Sequence, residues 1–259
     1  MAGIERHLND AIEMSRDCAR VFLTAEWRHL AMLNYVVDPA TLKPWVPAGT
    51  ELDFWEGRTY VSMVGFLFLK TRILGIPIPF HRNFEEINLR FYVGRKAADG
   101  SWRRAVVFIR EIVPRRAIAF VARSVYNEPY LALPTTHQIE RQPGSKTGIK
   151  SAAYSWKYRC REHCLKIVTR GEARPLAEGS EAEFIAEHYW GYTAQRDGSS
   201  LEYQVEHPRW RVYDSASAEF KCDVAALYGQ QFVSVLNRPP DSAFLAEGSA
   251  VKVYRGVKI

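Results

Sequence analysis

The segment Phe84-Glu-Glu-Ile-Asn-Leu-Arg-Phe-Tyr-Val93 alternates between apolar and polar side chains. Successive side chains of a β-strand point to opposite faces, so each set of alternating residues belongs to one face. The apolar face consists of Ile87, Leu89, Phe91 and Val93. The polar face consists of Glu86, Asn88, Arg90 and Tyr92. The segment therefore predicts a strand with one face in a core and one face that carries charge.

The flanking sequence predicts a strand-rich α+β protein. The run from Arg58 to Leu69 is apolar on both faces, which is typical of a fully buried strand. A turn at Asp99-Gly100 precedes a returning strand over 104–113. Further strands are predicted at 154–161, 201–205 and 251–254. Helices are predicted over 4–17, after the capping-box signal Ser180-x-x-Glu183, and over 223–237.

Size and composition are those of a globular protein. The chain has 259 residues, of which 47% are hydrophobic and 25% are charged. No repeat, low-complexity segment or convincing linker interrupts it, so one domain over 1–259 is the simplest prediction. The seven Trp, 13 Tyr and 13 Phe favour strands and pocket walls over long solvated helices.

Charge and cysteine usage limit the partners and the compartment. The net charge of +6 is spread along the chain without a Lys/Arg-rich block, so nucleic-acid binding is not predicted. The longest apolar run, 59–69, is far shorter than the ~20 residues of a membrane helix. Four cysteines without a secretion signal indicate reduced thiols in a cytoplasmic protein. Homo-oligomer formation is left open.

The polar face of the first segment has two interpretations. Glu86 and Arg90 belong either to an internal ion-pair network or to a ligand site, because buried charges need partners in both cases. An arginine can bind a carboxylate with two parallel hydrogen bonds. Arg90, with Arg110, would therefore favour an anionic ligand.

Other candidate residues cluster near aromatic side chains. His188 and His207 are candidate acids or bases, since histidine titrates near neutral pH. The alternative for each is a hydrogen-bonded structural histidine, and Arg110 and Glu128 have the alternative of satisfying neighbouring charges. The candidate catalytic residues are Glu86, Glu128, His188 and His207. The candidate ligand-binding residues are Asn88, Arg90, Arg110, Tyr126 and Tyr189.

No metal or cofactor is predicted. The motif Cys160-x-x-His163-Cys164 has metal-ligand residue types, but on a strand His163 faces away from both cysteines. A closed zinc site also needs four ligands in a tetrahedral array. The signatures G-x-S-x-G, H-E-x-x-H, P-loop and G-x-G-x-x-G are all missing from the sequence.

Several motifs resemble one family across residues 20–259. They are Ala25-Glu-Trp-Arg-His-Leu-Ala-Met-Leu-Asn-Tyr-Val-Val-Asp-Pro39, Val46-Pro-Ala-Gly49, the segment 84–93, and Glu206-His-Pro-Arg-Trp210. Together they are similar to the YqjF-like family, DUF2071, which is grouped by fold with acetoacetate decarboxylase. The resemblance implies an acetoacetate-decarboxylase-like barrel of mostly antiparallel strands around an internal cavity, with a few peripheral helices.

The resemblance also identifies what this chain lacks. Acetoacetate decarboxylase forms an imine through a lysine in a Gly-x-Pro-Lys-Lys stretch, whereas the most similar stretch here is Tyr126-Asn-Glu-Pro-Tyr-Leu131. Tyr130 and Leu131 stand where the lysines would be, and Lys70 is the one other lysine to consider. Glu86 resembles an active-site carboxylate of that enzyme.

Two functional hypotheses follow. One is a pocket for a small carboxylate- or carbonyl-bearing ligand, with proton transfer next to the carbonyl. The other is a non-catalytic binding or accessory protein whose buried charges are structural. Neither hypothesis depends on a Schiff-base lysine.

Overall fold

The structure, a computed structural model, describes residues 21–115, 117, 119, 127–145 and 147–259. The helix predicted over 4–17 lies outside these residues. Within them the strands are β1 Val21–Val37, β2 Glu51–Leu52, β3 Thr59–Ile73, β4 Ile76–Pro77, β5 Phe84–Lys96, β6 Trp102–Val113, β7 Tyr130–Ala132, β8 Thr135–Arg141, β9 Ile149–Tyr158, β10 Arg161–Pro175, β11 Trp190–Ala194, β12 Ser200–Glu206, β13 Arg211–Lys221, β14 Ser242–Tyr254 and β15 Val257–Lys258. The described helices are α1 Pro39–Leu42, α2 Glu181–Ala186, α3 Val224–Tyr228 and α4 Val233–Leu236. None of these helices is long and apolar enough to cross a membrane.

Seven strands of one sheet close into a ring. Their order is β12, β11, β6, β5, β3, β1 and β14. The closing contact is a second pairing of β14, in which Val253 lies opposite Val205 of β12 and Lys252 lies opposite Glu206. The β6–β11 pair is parallel, and the other pairs of the ring are antiparallel. The closed sheet therefore has an inner face, which surrounds an interior, and an outer face.

The rest of the sheet covers part of that outer wall. β13, β10, β9 and β8 continue the sheet from β14. Tyr154 and Trp156 of β9 share one buried cluster with Leu89 of β5 and with Leu227 and Phe232 from the segment of α3 and α4. β3 and β5 are consequently covered on both faces, as the apolar run of β3 predicted.

The two faces of β5 follow the predicted alternation. Ile87, Leu89 and Phe91 are fully buried in the outer cluster. Tyr92 belongs to the second buried cluster, which fills part of the ring interior together with Phe184 and Ile185 of α2. The helix begins where the capping signal predicted, because Ser180 Oγ accepts a hydrogen bond from the Glu183 amide at 3.2 Å.

Two local predictions were wrong. The single helix predicted over 223–237 is interrupted at Gly229, which has a φ of 103°, a value that no helix interior allows. α3 ends before it, and a 3-10 turn at Gln230–Phe232 leads into α4. The strand predicted through 161 ends at Tyr158. Arg159 and Cys160 form the turn to β10 with positive φ, so the alternation assumed for Cys160 does not apply.

Substitution of Gly65 tests the packing of β9 against the ring. A Cβ at Gly65 would lie 2.6 Å from Tyr154 Cδ2 and 3.1 Å from Tyr154 Cβ. The Tyr154 hydroxyl donates a hydrogen bond to the His29 carbonyl at 2.7 Å, so the aromatic side chain of Tyr154 cannot move away freely. We expect Gly65→Ala to lower the free energy of unfolding by about 1–3 kcal/mol, measured by urea denaturation. The loss should shrink in a Tyr154→Leu background, and an equal loss there would contradict this packing.

Candidate functional site

The ring interior contains a cavity of about 340 Å³. Its wall is mainly aromatic and apolar. The large aromatic residues of the wall are Trp27, Phe66, Phe68, Phe84, Phe108, Trp190 and Trp210. Phe22, Ile78 and His81 also line it and are partly exposed, so they lie toward the entrance. Apolar walls with a few polar groups are typical of small-molecule sites.

The register of β5 decides which glutamate enters the cavity. Glu86 is 2% exposed and lines the cavity, together with Asn88 and Arg90. Glu85 faces the other way and accepts hydrogen bonds from Thr135 Oγ1 at 2.8 Å and His137 Nδ1 at 2.6 Å. The hydrogen bond from His137 is the main reason that the pKa of Glu85 is lowered to about 2.

Three carboxyl groups, Glu86, Glu111 and Glu128, form what we call the carboxyl cluster. Each residue lines the cavity and is no more than 9% exposed. Tyr130 donates its hydroxyl proton to Glu86 Oε2 at 3.1 Å, and Tyr203 donates to Glu128 Oε1 at 2.8 Å. Burial raises the pKa of all three carboxyl groups, and mutual repulsion raises those of Glu86 and Glu111 further. The cluster therefore retains protons at a pH where surface glutamates have lost theirs.

Glu111 enters the cavity through a β-bulge. In the pairing of β5 with β6, the register shifts between Leu89 and Arg90. On one side of the shift Arg90 lies opposite Phe108, which lines the cavity. On the other side Asn88 lies opposite Glu111. Simple alternation would have put Glu111 on the same face as Ile109, which is buried in the outer cluster. Glu111 was not predicted as a site residue, because this bulge leaves no clear signal in one sequence.

Arg90 is a buried cation beside the carboxyl cluster. It is 9% exposed and lines the cavity. Its Nη2 donates to the Ile185 carbonyl at 3.1 Å, and its Nε donates to Tyr92 Oη at 3.4 Å. No carboxylate of the described residues lies within ion-pair distance of Arg90. The guanidinium is therefore oriented by neutral groups and keeps capacity for an anion.

The two candidate histidines both line the cavity. His188 stacks on Tyr92 with ring centroids 4.6 Å apart, and its Nε2 is 3.8 Å from Asp53 Oδ2, too far for a hydrogen bond. Burial lowers the pKa of His188 to about 4, so its imidazole is neutral at pH 7. His207 stacks on Trp210 at 4.2 Å, and burial lowers its pKa as well.

The remaining candidates lie away from the cavity or outside the described residues. Arg110 is not among the lining residues and lies near Tyr228 of the outer cluster. Tyr189 stacks behind His207 at 4.8 Å and donates its hydroxyl proton to Glu187. Tyr126 lies outside the described residues. Lys70 forms an exposed ion pair with Glu26 at 2.6 Å, and no described lysine lines the cavity.

The described side chains contain no group of three or more His, Cys, Asp or Glu that could hold a metal ion. His163 stacks on Trp156, a residue of the outer cluster, with ring centroids 5.8 Å apart.

Solved structures that match this fold include an acetoacetate decarboxylase and an acetoacetate decarboxylase-like enzyme. The acetoacetate decarboxylase of Legionella pneumophila matches with a TM-score of 0.62 and 12% identity, over 92% of this chain and 87% of that one. An acetoacetate decarboxylase-like enzyme from Sphingomonas wittichii RW1 matches with a TM-score of 0.64 and 11% identity, over 92% and 93%. The enduracididine biosynthesis enzyme MppR, complexed with pyruvate, matches at 0.63 and 10%, over 92% and 90%. The predicted strand-rich, acetoacetate-decarboxylase-like fold is confirmed.

Sequence similarity identifies the family. Residues 24–250 match DUF2071, which is described as an uncharacterized conserved protein. The uncharacterized protein YqjF of Bacillus subtilis (strain 168) is 31% identical over 196 residues, which are 74% of this chain and 75% of YqjF. The chain belongs to the DUF2071 family, as its motifs predicted.

Replacement of His188 tests its neutral state. The imidazole keeps its ordinary pKa of 6.5 in the unfolded chain and about 4 in the folded protein, so the unfolded state binds more protons between these values. Folding stability from this residue is therefore lost as the pH falls through that window. We expect the wild type to lose on the order of 2 kcal/mol more than His188→Gln between pH 7 and pH 5.

Urea denaturation at both pH values measures this difference. The carboxyl cluster changes stability with pH in the opposite direction, but it is present in both proteins and cancels in the comparison. Parallel stability curves for the two proteins would contradict a neutral, buried His188.

Proposed function

We propose that the cavity binds a small molecule that carries a carboxylate and a carbonyl group, and that the carboxyl cluster transfers protons next to that carbonyl. The observation that carries this proposal is the pairing of unlike groups in one cavity. Arg90 is a buried cation without a carboxylate partner among the described residues. Glu86, four residues away on the same face of β5, belongs to the carboxyl cluster, whose raised pKa values keep protons in the cavity. The carboxylate of such a ligand would pair with Arg90, and its carbonyl group would accept a hydrogen bond from the carboxyl cluster.

The carboxylate of the ligand would take the place beside Arg90. A buried guanidinium without an anion is costly, and a bidentate carboxylate offsets that cost. Hydrogen bonds to Ile185 and Tyr92 already orient the guanidinium, so little freedom would be lost on binding. The solved complex of MppR with pyruvate is a precedent for a small 2-oxo acid in this fold.

The carbonyl of the ligand would face the carboxyl cluster. A protonated carboxyl donates a hydrogen bond to a carbonyl oxygen, and the same carboxyl in its ionised form removes a proton from the adjacent carbon. A group with a raised pKa can do both near neutral pH. Tyr130 stands where the imine-forming lysine of acetoacetate decarboxylase would be, so the reaction class that we propose is enolisation without a covalent intermediate.

A non-catalytic binding protein is the second candidate function. The mainly aromatic wall of the cavity favours it, because such a wall supplies affinity without chemistry. The two candidates differ in whether the ligand exchanges protons with the protein.

Ligand binding is tested with a matched pair of arginine variants. We expect pyruvate to raise the melting temperature of the wild type and of Arg110→Met, but not of Arg90→Met, because only Arg90 lines the cavity. Thermal shift measurements at equal pyruvate concentrations give the comparison. An equal shift in Arg90→Met would place the anion elsewhere, and a shift in none of the three proteins would contradict binding of this ligand class.

Proton transfer is tested by hydrogen–deuterium exchange of the pyruvate methyl group in D2O, followed by NMR. We expect the wild type to catalyse exchange and Glu86→Gln to lower kcat by about 10²-fold, since acid–base groups contribute that much or more. Glu85→Gln is the matched control, because Glu85 faces away from the cavity and should keep the wild-type rate.

The outcomes separate the two candidate functions. Pyruvate binding without exchange would favour the non-catalytic protein. Borohydride treatment in the presence of pyruvate should add no mass to the protein, since no described lysine lines the cavity. A stable adduct would instead establish imine chemistry and contradict the proposed mechanism.

A further inference from the structure

Three adjacent strands bring Glu111, Tyr130 and Glu86 into one line of contacts. In the sheet Glu111 of β6 lies opposite Asn88 of β5 on one side and opposite Tyr130 of β7 on the other. The Tyr130 hydroxyl is 3.1 Å from Glu86 Oε2, and burial together with the neighbouring Glu111 and Glu86 carboxyls raises the pKa of Tyr130. One phenol is therefore a neighbour of two buried carboxyl groups.

The number of protons in this line follows from hydrogen-bond chemistry. A tyrosine hydroxyl donates one proton and accepts through its oxygen. When it donates to Glu86, contact with Glu111 is favourable only if Glu111 supplies its own proton to the phenol oxygen. Two ionised carboxylates at 2% and 1% exposure would otherwise repel each other in a medium of low dielectric. The arrangement thus requires one carboxyl proton in addition to the phenol proton.

The hydrogen bonds also determine where that proton rests. Glu86 accepts from Tyr130 and from Asn88 Nδ2 at 3.0 Å, and both bonds stabilise its ionised form. Glu111 Oε2 is buried without a hydrogen-bond partner among the described residues, which favours its protonated form. The other charged or titratable groups facing the line are Arg90, Glu128 and Tyr203. Arg90 further favours charge on Glu86.

We propose that Glu111, Tyr130 and Glu86 form a proton relay in which Glu111 holds a reserve proton and Glu86 delivers it into the cavity. In one concerted step the O–H bond of the Glu111 acid breaks and its proton binds the Tyr130 oxygen. The original Tyr130 proton moves to Glu86. Glu111 becomes a carboxylate, Glu86 becomes an acid, and Tyr130 is unchanged. Delivery to a ligand depends on the proposed function, whereas the shared proton is a property of the free protein.

The ligand-free protein tests the shared proton directly. The infrared carbonyl band of protonated carboxyl groups is followed as a function of pH. We expect Glu111→Gln to weaken this band at pH 7 and to move the remaining titration to lower pH, because it removes one acid and its repulsion. Tyr130→Phe should move the titration to higher pH, because it removes the donor that stabilises Glu86. An unchanged band in Glu111→Gln would overturn the relay.

A measurement on the wild type covers the case in which a variant does not fold. With carbon-13 in the glutamate carboxyl groups, NMR should show coupled buried carboxyls that titrate in two steps. Independent single-step titrations at ordinary glutamate pKa values would overturn the proposal without any substitution.

The pyruvate exchange reaction separates failure of the relay from failure of the proposed function. We expect Glu111→Gln and Tyr130→Phe to lower kcat for exchange by about 10²-fold, with KM for pyruvate within about twofold of the wild type, since both act on proton supply and not on binding. Glu85→Gln remains the control. Wild-type exchange rates in both variants would overturn the relay and leave the proposed function intact. The expected infrared behaviour with no exchange in the wild type would support the relay and contradict the function.

Discussion

β5 has no solvent layer on either side, and its inward face nevertheless carries a glutamate, an asparagine and an arginine. Charges in such a position must find partners inside the protein, because burial of an uncompensated charge is very unfavourable. Closure of the ring through the second pairing of β14 with β12 creates the interior in which this happens. The cavity, the carboxyl cluster and the orientation of Arg90 all depend on that closure.

The cavity meets this constraint in two different ways. The carboxyl cluster of Glu86, Glu111 and Glu128 reduces its total charge by keeping protons, since the pKa of each group is raised. Arg90 cannot lose its proton and is held by a carbonyl and a phenol oxygen. The cavity thus places an arginine without a carboxylate partner among the described residues beside carboxyl groups whose pKa values are raised.

The fold shared with acetoacetate decarboxylase does not determine the chemistry. Structures with about a tenth of their residues identical to this chain share its arrangement of strands, but the reaction depends on individual side chains. In this chain Tyr130 donates a hydrogen bond to Glu86 in the cavity, and no described lysine lines the cavity.

The sequence by itself determined the strand-rich class, the family and the alternation of apolar and polar residues along β5, because alternation and motifs are local properties of the chain. Glu86, Glu128, His188 and His207 were named from residue type and neighbours, and all four line the cavity. Only the tertiary structure decided that Glu86 and not Glu85 faces inward and that Glu111 joins it while Arg110 faces out. Those outcomes depend on strand register and on the bulge between Leu89 and Arg90, which arise from pairing with distant segments and have no local signal.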